Sequence, residues 1–516
     1  MPEVFKVVDL FAGPGGLAEG FSSFSDADGH SPFSVVVSVE KERSAHKTLR
    51  LRAFLRQFDD DYPSEYYRYL NDGGDMPDWA SLYPGEWSDA LDEALHLELG
   101  TKEGDALIQG RVEEIAATGK PTIVIGGPPC QAYSLAGRSR NAGKADYVAE
   151  KDHRHFLYQE YIDILDRLRP AAFVMENVKG MLSSSVDGGR IFDRVLDDLR
   201  CAGGEQQIYK LYAVGRSPNG RMILQRADAH SDYVVRAERF GVPQARHRVI
   251  IVGLRTDLRL GQIEHLEGFG AVPVAATVRD VISGMTPLRS GLTRGDSPED
   301  WSRVVQEQIG CVLNALAAMP ATTTTAALTA RIVEIQNEIK GQPALARWDD
   351  TVPNEVTTCP PDLDGFLYDP MMTATHNHAA RGHMDEDLGR YFFAAVFAEV
   401  MKRTPNSSEF PTLLAPAHAN WTTGKFADRF RVQRWDAPAT TVTSHIAKDG
   451  HYFIHPDPAQ CRSLTVREAA RLQTFPDNYL FLGNRTEQYV QVGNAVPPYL
   501  ARQIASALWA VLRTIK

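Results

Sequence analysis

Apolar, β-branched runs alternate with amphipathic stretches through the first half of the chain. Val4 to Leu10 reads as a buried strand, followed by the turn Gly13-Pro14-Gly15-Gly16 and a helical stretch reaching Phe24. Phe33 to Val39 is a second strand ending at Glu40, and Thr122 to Ile125, Ala172 to Met175 and Val249 to Leu254 are further ones. Short continuous apolar runs suit strands covered on both faces. Strands separated by helical stretches predict an α/β fold with a parallel, doubly wound sheet.

The alternation breaks twice. Residues 57–105 are acidic and carry Tyr and Trp, and read as a surface insertion in the sheet domain. From about 260 to 430 the regularity is lost, apart from two helices. One places Leu328, Ile332, Ile335 and Ile339 on one face with Gly341 to end it; the other runs from Asp387 to Lys402, before Pro405. A last helix, Pro498 to Ile515, presents Tyr499, Ile504, Leu508, Val511 and Leu512 to the first domain's sheet. The expected division is a sheet domain over 1–258, an irregular region over 259–430, a returning segment over 431–484 and a closing helical part over 485–516.

Composition narrows the function classes. Of 516 residues, 43% are hydrophobic and 23% charged, which are globular values and exclude a disordered chain, a collagen or a coiled coil. No run of 18 apolar residues occurs, so no membrane span is expected. MPEVFKVVDLF passes straight into a strand, without the marks of a signal peptide, which predicts a cytoplasmic protein. The five cysteines, Cys130, Cys201, Cys311, Cys359 and Cys461, form no CxxC pair and so predict neither a disulfide framework nor a zinc knuckle. A net charge of −11 does not exclude nucleic acid, because binding depends on a local basic face.

Four motifs carry chemistry. Asp9-Leu10-Phe11-Ala12-Gly13-Pro14-Gly15-Gly16 joins a strand to a helix, and its glycines let a ligand approach the backbone. Glu40, ending the next strand, suits a ribose diol. The spacing is not GxGxxG and no Walker lysine follows, which disfavours NAD and ATP. Gly126-Gly127-Pro128-Pro129-Cys130-Gln131 places a thiol in a stiff loop at the carboxyl end of a strand, where α/β sheets bind ligands. A lone cysteine is ordinarily a packed one, and the rigid loop reverses that reading for Cys130 alone. Met175-Glu176-Asn177-Val178 ends another strand, where Glu176 could share the pocket as a proton donor or serve only as a cap. In Gly241-Val242-Pro243-Gln244-Ala245-Arg246-His247-Arg248, alternation puts Gln244, Arg246 and Arg248 on one face, suited to an electron-rich heterocycle or a phosphate.

With Leu464-Thr465-Val466-Arg467-Glu468-Ala469-Ala470-Arg471-Leu472-Gln473-Thr474-Phe475-Pro476 and Gln491-Val492-Gly493-Asn494-Ala495-Val496-Pro497-Pro498, this set resembles the C5-cytosine methyltransferases. The resemblance covers about the first 255 residues and the last 85. It implies a Rossmann-like methyltransferase sheet with a smaller target-recognition domain at 259–430, S-adenosylmethionine as cofactor with S-adenosylhomocysteine as product, no metal, and double-stranded DNA with a flipped-out base as substrate. By that resemblance Cys130 attacks C6 of cytosine, Glu176 bonds N3 and the exocyclic amine, Arg248 binds O2 and Arg246 supports the loop. Phe11, Ala12, Gly13, Gly15 and Gly16 would hold the methionine part and Glu40 the ribose, with Gly127, Pro129, Leu157, Asn494 and Val496 at other cofactor positions. The expected setting is a restriction-modification or other defence system with a cognate endonuclease, and the expected state a monomer. A tRNA-directed relative and a catalytically idle DNA-binding relative are the alternatives.

Two stretches depart from this pattern or tempt a different reading. Gly110-Arg111-Val112 stands where the family often has Gly-Asp-Ile to reach the adenine amine. Thr375-His376-Asn377-His378, with His383 and Asp385, spells a nuclease-like string, but no ββα frame accompanies it. Arg429, Arg431, Arg434 and Lys448 are candidate phosphate partners.

Overall fold

The computed structural model describes residues 4–59, 61–129, 157–183, 191–261, 263, 266–417, 421 and 428–515, and the backbone of 185–186 and 189–190. Among these, nine strands form one sheet: β1 (Phe5–Leu10), β2 (Phe33–Glu40), β3 (Ala94–His96), β4 (Thr122–Gly126), β5 (Ala172–Val178), β6 (Tyr209–Arg216), β7 (Met222–Gln225), β8 (Val234–Arg236) and β9 (His247–Arg255). Their order is β3-β2-β1-β4-β5-β9-β6-β7, with β8 also paired to β9. The apolar runs are buried on both faces, as their continuity requires. Phe5 and Val7 of β1 enter one core, while Val8 and Leu10 enter the other.

Strands β1 to β5 pair in parallel. The expected parallel strand at Val249 to Leu254 is corrected: β9 runs antiparallel between β5 and β6. Residues 237–246 link β8 to β9 without an α-helix. So short a link can join antiparallel neighbours but not parallel ones, which need a crossover of a dozen or more residues.

Helices α1 (Gly16–Ser22) and α12 (Pro498–Leu512) cover one face of the sheet, as expected of the C-terminal helix. Helices α4 (Lys102–Ala117), α5 (Leu157–Leu168) and α6 (Ile191–Cys201) cover the other. The 57–105 stretch is not simply a surface insertion. Its end is edge strand β3, and helix α3 (Ser64–Asp72) with the two short helices after it packs on α2 (Arg43–Leu55). Tyr66, Leu70 and Trp79 bury there with Leu49 and Phe54, so the aromatic residues form a core.

The middle region has its own apolar core, built from α7 (Pro298–Ala317), α8 (Thr323–Ile339) and α9 (Asp385–Met401) with Phe410 and Phe430. The helix with Leu328, Ile332 and Ile335 inward forms as expected. The region is not continuous, however. Cys359, Leu363, Phe366 and Leu367 pack back into the sheet core beside Tyr499, and Met372 joins the aromatic core around α3. Helices α10 (Val466–Leu472) and α11 (Arg485–Asn494) then lead to α12.

Candidate active site at the carboxyl edge of the sheet

The parallel strands end on one edge, and the functional side chains are there because the chain turns sharply at each strand end. After β1, Phe11 (φ 58°), Gly13 (φ 60°) and Gly15 (φ 100°) are all left-handed, which reverses the backbone within a few residues before α1 begins. Glycine meets that conformation without strain, whereas Phe11 does not. A Cβ on Gly16 would collide with the Val496 carbonyl, so only glycine lets the 495–497 loop seat on this turn. Val496 is buried there, and Asn494 before it is exposed.

Glu40 closes the same corner. Its Oε2 accepts from the Gly13 amide at 2.8 Å and its Oε1 from the Glu42 amide at 2.6 Å. Burial raises its pKa, opposed by those two amides. Each carboxylate oxygen keeps lone-pair capacity for a further donor. Asp9 is fully buried beneath the turn, with only the Ala18 amide directed at it and no close hydrogen bond to either oxygen among the described residues. Burial pushes its pKa up to about 8 against the attraction of Arg56.

The second cluster joins β4, β5 and β9. Gly127, Pro128 and Pro129 come directly after β4, and the Asn177 side-chain amide donates to the Pro128 carbonyl at 3.1 Å. A Cβ on Gly127 would stand 2.9 Å from Glu176 Oε2, so the missing side chain makes room for the carboxylate. Glu176 Oε1 pairs with Arg248 Nε at 2.8 Å, with both side chains about seven-eighths buried. Antiparallel register sets this pair, since Arg248 lies opposite Val178, two residues from Glu176. Arg246 is buried, donating to the Val442 carbonyl at 2.8 Å and the Gly493 carbonyl at 3.3 Å, so it ties the strand to two distant loops. Burial, and then Arg248, lower its pKa. The single-face reading holds only in part, because Gln244 turns away to the Leu472 carbonyl and the Val442 amide. Cys130 lies outside the described residues.

Leu157 opens α5 and would touch a Cβ on Gly100 at 3.2 Å, which places it beside the loop after β3. Residues 97–101 make up that loop, at the carboxyl end of β3. Gly110-Arg111-Val112 instead lies in the middle of α4, where Arg111 pairs with Glu114 at 2.8 Å and donates to the Asp92 carbonyl. The comparison of Arg111 with an adenine-contacting acid is therefore corrected. Sequence spacing missed it because α4 already opens at Lys102, which puts the triplet well inside the helix and away from the loop after β3.

The nuclease-like string resolves into scaffold. His376 meets the Leu70 carbonyl, and His378 meets Thr465 Oγ1 and the Thr286 carbonyl, both at 3.0 Å. His383 lies against Ser463 and Tyr391. Of the candidate phosphate partners, Arg429 pairs with Asp449, Arg431 with Asp428 and Arg434 with Asp436. Sequence reading passed over Asn177 and Asp9, although both stand inside quoted motifs; the signal was a polar residue within an otherwise apolar strand.

One edge thus combines a rigid proline loop, a carboxylate–guanidinium pair facing it and a glycine turn with a buried acid. It can hold a planar heterocycle beside a nucleoside. Comparison with known proteins agrees. The family described as C-5 cytosine-specific DNA methylase matches residues 101–281 and 375–510. The type II methyltransferase M.Bpa9945I of Bacillus paralicheniformis is 34% identical over 98% of this chain and 99% of its own length. M.AgeI of Thalassovita gelatinovora is 26% identical over 98% and 99%. A solved prophage-encoded E. coli protein, described as a DNA modification methyltransferase, shares the fold at TM-score 0.50 and 18% identity, over 98% of this chain and 99% of that one. No helix among the described residues is long and apolar enough to cross a membrane. The chain belongs to the C-5 cytosine-specific DNA methylases and is a DNA (cytosine-5) methyltransferase.

Proposed function

We propose that this methyltransferase acts on a cytosine flipped out of duplex DNA, with Cys130 as nucleophile and Glu176 and Arg248 holding the base. The observation that carries the reading is the 2.8 Å Glu176–Arg248 pair, set against the Gly127–Pro129 loop that leads directly into Cys130. Flipping costs a few kcal/mol and exposes the ring edges to these groups.

The Cys130 thiolate forms a bond to C6, and the displaced π electrons make C5 nucleophilic. Glu176 stabilises the ring through N3 and the exocyclic amine, and Arg248 neutralises charge at O2. Charge-assisted bonds in a water-poor site are the strong ones. Arg246 positions Arg248 by fixing the strand to Val442 and Gly493. After methyl transfer a base takes the C5 proton, the C5–C6 double bond re-forms, and the Cys130–C6 bond breaks to return the thiolate.

S-adenosylmethionine, when bound, supplies the electrophilic methyl group and leaves as S-adenosylhomocysteine. The residues fit it. The turn at Phe11, Ala12, Gly13, Gly15 and Gly16 exposes backbone to the methionine part, and Glu40 offers a fixed carboxylate to the ribose diol. Gly127, Pro129, Leu157, Asn494 and Val496 complete the walls. Residues 259–430 read base edges in the major groove. The chain acts as a monomer in the cytoplasm beside a cognate endonuclease.

The test is to express the chain and its Cys130→Ser variant in a host lacking cytosine methylation and to map 5-methylcytosine in plasmid and genomic DNA. A short motif methylated only by the unaltered chain is expected. Good expression without DNA methylation, or better activity on tRNA, would overturn the reading.

A further inference from the structure

The helical stretch after α2 makes contacts that its own core does not require. From α3, the Tyr67 hydroxyl donates to Asp369 Oδ2 at 2.8 Å. The Asn71 side chain donates to the Met371 carbonyl at 2.8 Å and accepts from the Thr373 amide at 2.7 Å. The Leu70 carbonyl meets His376, and Met372 is buried among the stretch's aromatic residues. These partners lie about 300 residues away in an irregular segment, where Asn71 takes the Met371 carbonyl and the Thr373 amide while other backbone groups bond to Asp350, Asp369 and Thr351.

That segment leads straight into Gly382–His383, which pairs with Gly291–Leu292 at the base of the α7–α9 lobe. A second path starts from the same place. Asp369 also accepts from Asn478 at 2.6 Å, and Asn478 accepts from Arg52 at 3.2 Å. Arg52 is fully buried, pairs with Glu19 of α1 at 2.6 Å and lies 4.5 Å over the Tyr479 ring, whose hydroxyl reaches the Pro14 carbonyl of the glycine turn. A stretch kept only for its apolar core has no need to match a remote segment with directional bonds. Such bonds fix register and orientation because they are directional, the Tyr67 bond part-buried and both Asn71 bonds at the exposed rim.

We propose that the helices of residues 61–93 are a brace that seats the α7–α9 lobe over the catalytic edge, with Tyr67 and Asn71 as positioning residues for DNA. The inference rests on the assignment of that lobe to target reading.

The experiment uses the full-length chain carrying Tyr67→Phe and Asn71→Ala together. The KM for a duplex bearing the mapped motif should rise about tenfold, as three hydrogen bonds partly replaced by water, one of them to a carboxylate, would give. The kcat at saturating duplex and the affinity for S-adenosylmethionine should stay within about twofold, and methylation of near-cognate sites should increase. An unchanged KM and selectivity, or parallel losses in kcat and cofactor affinity, would overturn the brace. Hydrogen exchange supplies a readout independent of activity: the 291–292 and 382–383 amides should exchange faster in the variant while β1 to β5 are unaffected. Unchanged exchange there overturns the brace. An unaltered chain that methylates no motif would sink the target-reading assignment instead, leaving the exchange result to decide the brace.

Discussion

The carboxyl edge of the sheet and the foot of the α7–α9 lobe both bury charge, and they use it in opposite ways. At that edge the buried polar groups stand at strand ends and keep spare valence, whereas deeper in the same body Arg52 and Glu19 are closed on each other. Among the described residues Asp9 has no close partner beyond the Ala18 amide, Arg246 Nε has none, and Glu40 is met by backbone amides alone. Where α10 joins the α7–α9 lobe to the sheet body the buried groups are closed on themselves. Arg462 grips Glu468 at 2.6 and 2.7 Å, and Arg467 donates to the carbonyls of His376, Pro476 and Tyr479. Burial alone therefore does not mark chemistry. A buried polar group with open valence beside a cleft marks it, while a closed one marks scaffold.

Paired substitutions break that comparison most directly. Glu176→Gln keeps the shape and removes the charge proposed to stabilise the base, so kcat should fall by roughly 100-fold or more, with a modest change in thermal midpoint. Glu468→Gln should do the reverse. Burial opposes ionisation of Glu468, yet Arg462 and its hydrogen bonds hold the carboxyl far below its usual range. Leaving Arg462 without its partner should cost about 3–5 kcal/mol in denaturant unfolding, with kcat per folded molecule nearly unchanged. If Glu468→Gln lost activity without losing stability, the division between poised and closed groups would fail.

Acid should separate the regions next. Burial lowers the pKa of His376, His378, His383 and His451, and takes His455 down to about 4; in the sheet body His46 is lowered in the same way. The unfolded chain protonates its histidines near pH 6.5, so below that pH it binds more protons than the native state. Stability from these rings is whole above about pH 6.5 and is lost as pH falls toward 4. Amide exchange between pH 7 and pH 5 should therefore accelerate in α7 to α9 more than in β1 to β5. Equal acceleration would mean the rings contribute nothing particular to the lobe.

The same contrast explains what could be read from sequence. Strand ends were legible because apolar runs and glycine or proline turns are local signals, and Glu40, Glu176 and Arg248 occupy those ends. The antiparallel β9 was not legible, because a run such as Val249 to Leu254 is equally apolar in either direction and only the connection decides. His376 to His378 looked like chemistry because their partners, Leu70, Thr286 and Thr465, lie about 90 or more residues away, beyond any local pattern. Arg111 was misplaced for a related reason, since helix phase and not spacing fixes which residue faces the edge. The role of 57–105 rests wholly on such distant pairs.

Asp9 gives the smallest expected effect and bears on the sheet body itself. Burial raises its carboxyl to about 8, so between roughly pH 4 and pH 8 the native state holds a proton that the unfolded chain has released. The native state therefore weakens as pH rises through that window, by about 1.4 kcal/mol per pH unit at most, and above pH 8 it carries a buried carboxylate. Asp9→Asn removes the titration. The variant's melting temperature should gain on that of the unaltered chain by a few degrees, roughly 2–4 °C, between pH 6 and pH 8.5. A difference that stays constant with pH would show that Asp9 is ionised throughout and compensated by Arg56. In that case Asp9 would belong with the closed groups at the foot of the α7–α9 lobe, and open valence would no longer distinguish the two regions.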